Sequence, residues 1–112
     1  MDCLFCSIIE GKIPSNKIYE DDSVFAFYDI DPQAPVHFLV IPKEHIASPA
    51  AITPENSAVV AHVFEVIARL SQELGLENGY RVVTNCGKDG GQSVGHLHFH
   101  VLGKRSLAWP PG

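Results

Sequence analysis

Residues His96-Leu97-His98-Phe99-His100-Val101-Leu102 set three histidines at alternate positions of an otherwise apolar run. Side chains alternate across a β-strand, so a strand here puts three imidazoles on one face, about 6.6 Å from one to the next, and Leu97, Phe99 and Val101 on the other. The apolar face requires a covering layer. The imidazole face carries chemistry, because unperturbed imidazole titrates near pH 6.5, about the range where it serves as nucleophile, base or acid. The chain holds 6 histidines, and half of them on one strand face reads as a site rather than as solvent-facing decoration of an edge strand.

The covering layer is legible upstream. Val59, Val60, Val63, Phe64, Ile67, Leu70 and Leu74 recur at helical spacing until Gly75 stops the run, with Thr53 as the expected N-cap and Pro54 as the first helical residue. This is the one long helix, read as a packing element. His62 on it reads as a solvated or satisfied helix histidine. Cys3 to Glu10 predicts a short helix closed by Gly11. Lys17 to Glu20 and Val24 to Asp29, parted by Asp21-Asp22-Ser23, predict a hairpin; His37 to Ile41 predicts a strand ended by Pro42, and Tyr80 to Asn85 another. Strands around one helix, joined by short links, argue an α+β fold with a mostly antiparallel five-stranded sheet, in a single domain over residues 1–112.

Composition excludes several classes of function. A formal net charge of −5, from 13 acidic and 8 basic residues, argues against nucleic acid as a partner, since such binding neutralises phosphates with clustered Lys and Arg. No run approaches the length of a membrane span, so no membrane is expected, and the segment Met1 to Cys6 lacks the basic-then-apolar order of a secretory signal. Three cysteines do not make a disulfide framework, so a cytoplasmic setting is expected.

Directly before the histidines lies Asn85-Cys86-Gly87-Lys88-Asp89-Gly90-Gly91-Gln92-Ser93-Val94-Gly95, whose glycines let backbone amides approach an anion closely. It lacks the Gly-Lys-Ser/Thr end of a P-loop, and alone it is equally a plain connection. Cys3 and Cys6, three apart, share one face of a helical turn and suit a common metal ion, a redox dithiol or buried thiols. Cys86 has no assigned role.

Gly91-Gln92-Ser93-Val94 followed by His96-Leu97-His98-Phe99-His100-Val101-Leu102 resembles the signature of the histidine triad family of nucleotide hydrolases and transferases. The likeness extends over Phe5 to Pro14, Asp29 to Pro35 with His37, Pro42-Lys43-Glu44-His45, and the end Trp109-Pro110-Pro111-Gly112. It is closest to the nucleotide-binding branch, which cleaves purine nucleoside phosphoramidates. The branch that cleaves dinucleoside polyphosphates usually has Thr at Ser93 and lacks the Trp-Pro-Pro-Gly ending.

The resemblance implies that His98 attacks the α-phosphorus to give a nucleotidyl-imidazole intermediate. It implies that His100, His37 and Ser93 complete the catalytic set. Substrate contacts are implied for Gly91, Gln92, Ser93, Val94 and Asn85 on the phosphate side, Asp29 on the ribose, Ile30 and Phe5 on the base, and Trp109 near the leaving group. A homodimer is implied, with the sheet continued across two protomers. A structural zinc held by Cys3, Cys6, His45 and His96 is implied from related proteins, with no organic cofactor. Three alternatives stay open: hydrolysis of dinucleoside polyphosphates, the histidine row as a catalytic zinc site, and nucleotide binding for regulation without catalysis.

Overall fold

The computed structural model describes residues 3–112; Met1 and Asp2, the first residues of the segment read for a leader, lie outside the described residues. Helix α1 (Leu4–Ile9) precedes the hairpin strands β1 (Lys17–Glu20) and β2 (Val24–Tyr28), and β3 (Val36–Pro42) follows. Helix α2 (Ala58–Glu73), β4 (Tyr80–Val83) and β5 (Phe99–Gly103) complete the chain. The five strands form one sheet in the order β1-β2-β3-β5-β4, with every neighbouring pair antiparallel. The fold is α+β, as expected.

Both faces of the sheet are covered, which explains why β2 and β3 are buried along nearly their whole length. Val24, Ala26, Phe38, Val40, Leu97, Phe99 and Val101 pack under Val63, Val66, Ile67 and Leu70 of α2. On the opposite face Phe25, Phe27, Leu39 and Ile41 meet Cys3, Phe5 and Ile8 of the N-terminal helix. Leu97, Phe99 and Val101 therefore find their covering layer in α2, and the histidines lie on the α1 side. No helix among the described residues is long and apolar enough to cross a membrane.

Glycine stops both helices as the sequence predicts. At α1 the N–H groups of Gly11 and Lys12 reach the carbonyls of Ile8 and Ser7, and at α2 those of Gly75 and Leu76 reach Gln72 and Ser71. Each is a Schellman closure, with Gly11 at φ +80° and Gly75 at φ +77°. The start of α2 differs from expectation. Asn56 Oδ1 accepts from the Thr53 N–H at 2.7 Å and Thr53 Oγ1 from Glu55 N–H at 3.2 Å, so these side chains build a separate turn. The helix begins only at Ala58, after Ser57.

The histidine strand is also shorter than expected. His96 and His98 precede β5, and of the three only His100 lies in the ladder. The cause is Pro42 at the end of β3: it has no N–H to pair with the chain beyond Phe99. The 96–98 segment is held by other bonds instead. Leu97 N–H donates to Ile46 O at 2.7 Å, and Thr84 Oγ1 donates to His98 O at 2.9 Å. Thr84 and Asn85, expected in a strand, likewise lie beyond β4.

Candidate active site

Leu39 pairs with His100, and His37 with Leu102, so His37 and His100 are diagonal neighbours on one face of the sheet. Their rings meet: His37 Nε2 lies 2.9 Å from His100 Nδ1. The tautomers follow from the partners. The backbone N–H of Gln33 donates to His37 Nδ1 at 3.0 Å, so in the neutral ring the proton is on Nε2 and points to His100 Nδ1. His100 then carries its own proton on Nε2. Burial lowers the pKa of both histidines, helped for His100 by neighbouring His98 and His37, which bring it down to about 4. Both shifts favour the uncharged rings, against the opposing pull of Asp29.

Asp29 stands beside this pair. Its Oδ2 lies 3.4 Å from His37 Nε2 and 3.7 Å from His100 Nδ1, while Oδ1 accepts from Asp31 N–H at 2.8 Å. The three side chains cluster closely enough to suggest a metal cage. The tautomers reject it, because Gln33 occupies the single lone pair of His37 and leaves an N–H facing the centre.

His98 is 4 % exposed. Its Nδ1–H donates to His96 O at 2.7 Å, which leaves Nε2 as an unprotonated nitrogen in the neutral ring. Phe5 packs edge-on against it with ring centres 5.1 Å apart, and His100 lies 5.0 Å away. Position and tautomer are thus fixed by one carbonyl and two rings.

A cavity of about 330 Å³ opens over these groups, lined by His98, His100, Ser93, Val94, Asp29, Ile30 and Phe5. Seven of the residues named from the sequence meet there. Its remaining wall comes from Leu4, Ile8, Ile13, Pro14, Phe27 and Leu39, so the body of the cavity is apolar. Ile30 is 95 % exposed and forms the rim. Ser93 also borders an open groove on the loop side, with Ser48, Cys86, Gly87 and Lys88.

Other residues named from the sequence stand apart from the cavity wall. Gln92 Nε2 donates to Ala47 O and Val94 O at 2.8 and 2.9 Å, and Oε1 accepts from Gly87 N–H at 3.0 Å. Both amide hydrogens are spent on the protein, so this side chain holds the loop in shape. Gly91 supplies a left-handed turn at φ +78°. Asn85 is half-buried beyond β4, and Trp109 is 81 % exposed. Sequence reasoning missed the Gln33 amide, whose bond to His37 four residues on depends on the turn between them, and Thr84, which bonds to His98 fourteen residues away.

A second cluster lies behind His96. Its Nε2–H donates to Pro42 O at 2.8 Å, which turns Nδ1 toward the thiols. Cys3 Sγ and Cys6 Sγ lie 3.3 and 3.6 Å from that nitrogen, and Cys6 Sγ lies 3.4 Å from His45 Nδ1. A tetrahedral zinc bound at about 2.3 Å from sulfur and about 2.05 Å from nitrogen sets those atoms about 3.5 Å apart. The four residues fit such an ion. Burial, then Cys3, push the Cys6 thiol up to about 11, and a bound cation opposes that because thiolate is the ligating form.

Comparison with known proteins identifies the family. The sequence pattern of the HIT domain family matches residues 10–107. A HIT-like protein of Synechococcus elongatus is 50% identical over 111 residues, 99% of this chain and 97% of that protein. The crystal structure of a HIT family hydrolase from Legionella pneumophila Philadelphia 1 superposes with a TM-score of 0.97 at 46% identity, covering 99% of this chain and 100% of the other. A histidine triad nucleotide-binding protein from Candida albicans gives a TM-score of 0.87 at 34% identity, over 97% and 83% of the two chains.

Proposed function

This chain belongs to the HIT domain family, and we propose that it hydrolyses purine nucleoside phosphoramidates, or transfers their nucleotidyl group, through a covalent intermediate on His98. The observation that carries this reading is the His98 Nδ1–H bond to His96 O, which leaves a lone pair on Nε2 of a ring lining the cavity.

In the first step the Nε2 lone pair forms an N–P bond while the P–N bond to the amine breaks, and the amine leaves neutral after taking a proton from solvent. Water then attacks phosphorus and gives a proton back to solvent, the N–P bond breaks, and its electron pair returns to Nε2. The base occupies the apolar wall beside Phe5 and Ile30, and Asp29 accepts from ribose hydroxyls. His100 holds a non-bridging phosphate oxygen through its Nε2–H, with His37 behind it. Ser93 and the backbone at Val94, which line the cavity, face the phosphate and leaving group. Each such oriented donor is worth about 2.7–4 kcal/mol to a transition state where charge develops. The groove beyond Ser93 gives the leaving group a way out.

The reading includes a structural zinc on Cys3, Cys6, His45 and His96. When bound, that ion ties the N-terminal helix to the segment leading into β5 while His98 stays unligated. A reducing cytoplasm suits it by keeping both cysteines as thiols. The reading also includes a homodimer, supported by β4 at an open sheet edge and by exposed Phe64 and Tyr80. In that arrangement exposed Trp109 reaches the partner's leaving-group side.

The test is turnover of adenosine 5′-phosphoramidate and of a diadenosine polyphosphate by the protein and by His98→Ala. The expected result is faster cleavage of the phosphoramidate and a loss of at least about 10³-fold in the variant. Equal rates for protein and variant reject the nucleophile. Preference for the polyphosphate moves the substrate to that class, and binding without turnover leaves a regulatory nucleotide-binding protein.

A further inference from the structure

We propose that Arg105 is a positioning residue for the phosphate-binding edge of the site, acting through Gln33 and His37 to keep the Nε2–H of His100 available to the phosphate. The inference rests on the phosphate role given to His100 above. Arg105 follows β5 and is exposed, yet its Nε donates to Gln33 O at 2.9 Å across 72 residues of sequence. Gln33 is held from its other side by its own Nε2, which donates to Asp31 O at 2.9 Å. The residue so fixed presents its N–H to His37 Nδ1 at 3.0 Å, and His37 Nε2–H reaches His100 Nδ1 at 2.9 Å.

Each link decides the next. A neutral imidazole has one N–H and one lone pair, so the Gln33 amide dictates which nitrogen of His37 bears the proton, and His37 dictates the same for His100. If Gln33 drifts, His37 can carry its proton on Nδ1. Its Nε2 then becomes an acceptor, His100 turns its Nδ1–H toward it, and a lone pair on His100 Nε2 confronts phosphate oxygen. The donor becomes a repulsion without any side chain leaving its place. Arg105 is exposed, and its other side-chain hydrogen bond runs from Nη1 to the adjacent Ser106 O at 3.2 Å, so its effect on the site runs through this chain of bonds.

The experiment uses the full chain labelled with ¹⁵N. Long-range imidazole spectra give the tautomers, and nitrogen–nitrogen couplings across the hydrogen bonds report Gln33 N to His37 Nδ1 and His37 Nε2 to His100 Nδ1. Both couplings are expected in the unaltered protein, with Nε2–H on both rings. Arg105→Ala is expected to weaken both, to mix the His37 tautomers, and to lower kcat for the phosphoramidate about tenfold with KM within about twofold, the size of one lost hydrogen bond. Arg105→Lys, which keeps a donor, is expected to recover part of each. His37 with its proton on Nδ1 in the unaltered protein overturns the proposal, and so does Arg105→Ala with couplings and kcat unchanged. The couplings need no substrate, so failure of the phosphoramidase reading shows as absent turnover with the couplings intact.

Discussion

Gly90→Ala tests whether the loop before the histidines is shaped by contact rather than by chance flexibility. Gly90 needs no left-handed backbone, but a Cβ built there meets Cys86 O at 2.5 Å, Cys86 N at 2.9 Å and Cys86 C at 3.2 Å. These are backbone atoms, which no rotamer change moves aside. Ordinary contact begins near 3.4 Å, so the loop has to open by about 0.9 Å.

The loop resists that opening through Gly91 N–H to Lys88 O at 3.1 Å, Gln92 N–H to Gly87 O at 3.0 Å, and Gly87 N–H to Gln92 Oε1 at 3.0 Å. Each bond is worth about 1 kcal/mol net, so the strain passes on to Ser93 at the cavity wall. A displacement of about 1 Å in a positioning group costs about 10²-fold in rate. The expected result is therefore a loss of about 10²-fold in kcat/KM for the phosphoramidate, with little change in Tm because the loop is exposed. Gly95→Ala is the control: nothing lies within 4 Å of its Cβ, and activity stays within about twofold. Steady-state kinetics beside thermal melting decide the matter. Gly90→Ala retaining activity within about threefold of the unaltered protein, or Gly95→Ala losing as much, refutes the reasoning.

Three other outcomes follow from the structure. Asp21 Oδ2 accepts from His62 Nε2 at 2.6 Å, and His62 Nδ1 lies 3.0 Å from Glu65 Oε1. Hydrogen bonds donated to Asp21, then to Glu65, raise the His62 pKa, so its contribution is full below about pH 6.5 and fades as pH rises through the raised value. Burial alone raises the Asp21 pKa, but bonds from His62, Ser23 N–H, Tyr19 and Val24 N–H outweigh it and leave the carboxyl well below its usual range; its share is lost only in strong acid. His62→Gln should therefore lower stability most near pH 5–6 and scarcely at pH 9, by about 1 kcal/mol or less at a pair this exposed, read as a drop in Tm, and an equal drop at both pH values would contradict it. Metal analysis should find about one zinc per chain, and chelation or Cys6→Ser should cut Tm by several degrees while refolded or still-folded molecules keep their kcat. Loss of kcat in proportion to zinc, with the fold intact, would instead favour a catalytic ion. Removal of Trp109 to Gly112 should change the ranking of leaving amines more than Tm, and an unchanged ranking would count against the placement of Trp109.

Much of this was readable from local pattern, because its causes are local. Period-two alternation at Leu97, Phe99 and Val101 named the buried face, helical spacing from Val59 to Leu74 named the covering helix, and Gly11 and Gly75 marked both stops. Where local signals competed, the reading drifted: Thr53 reads as an N-cap, yet Asn56 takes its N–H into a turn. Pro42 was legible as the end of β3, but its effect on the 96–98 segment depends on those two stretches being neighbours, and neighbours are set by the sheet.

The amino-acid sequence alone determined that three imidazoles stand beside a glycine-rich loop, that an apolar face needs a helix over it, and which residue types are available for phosphate and metal chemistry. Tertiary structure decided which nitrogen of each ring carries a proton, that Gln92 braces the loop, and that Arg105 reaches Gln33. A side chain's type is covalent and travels with the chain, whereas its protonation, orientation and partners are set by donors and acceptors that only folding brings within about 3 Å.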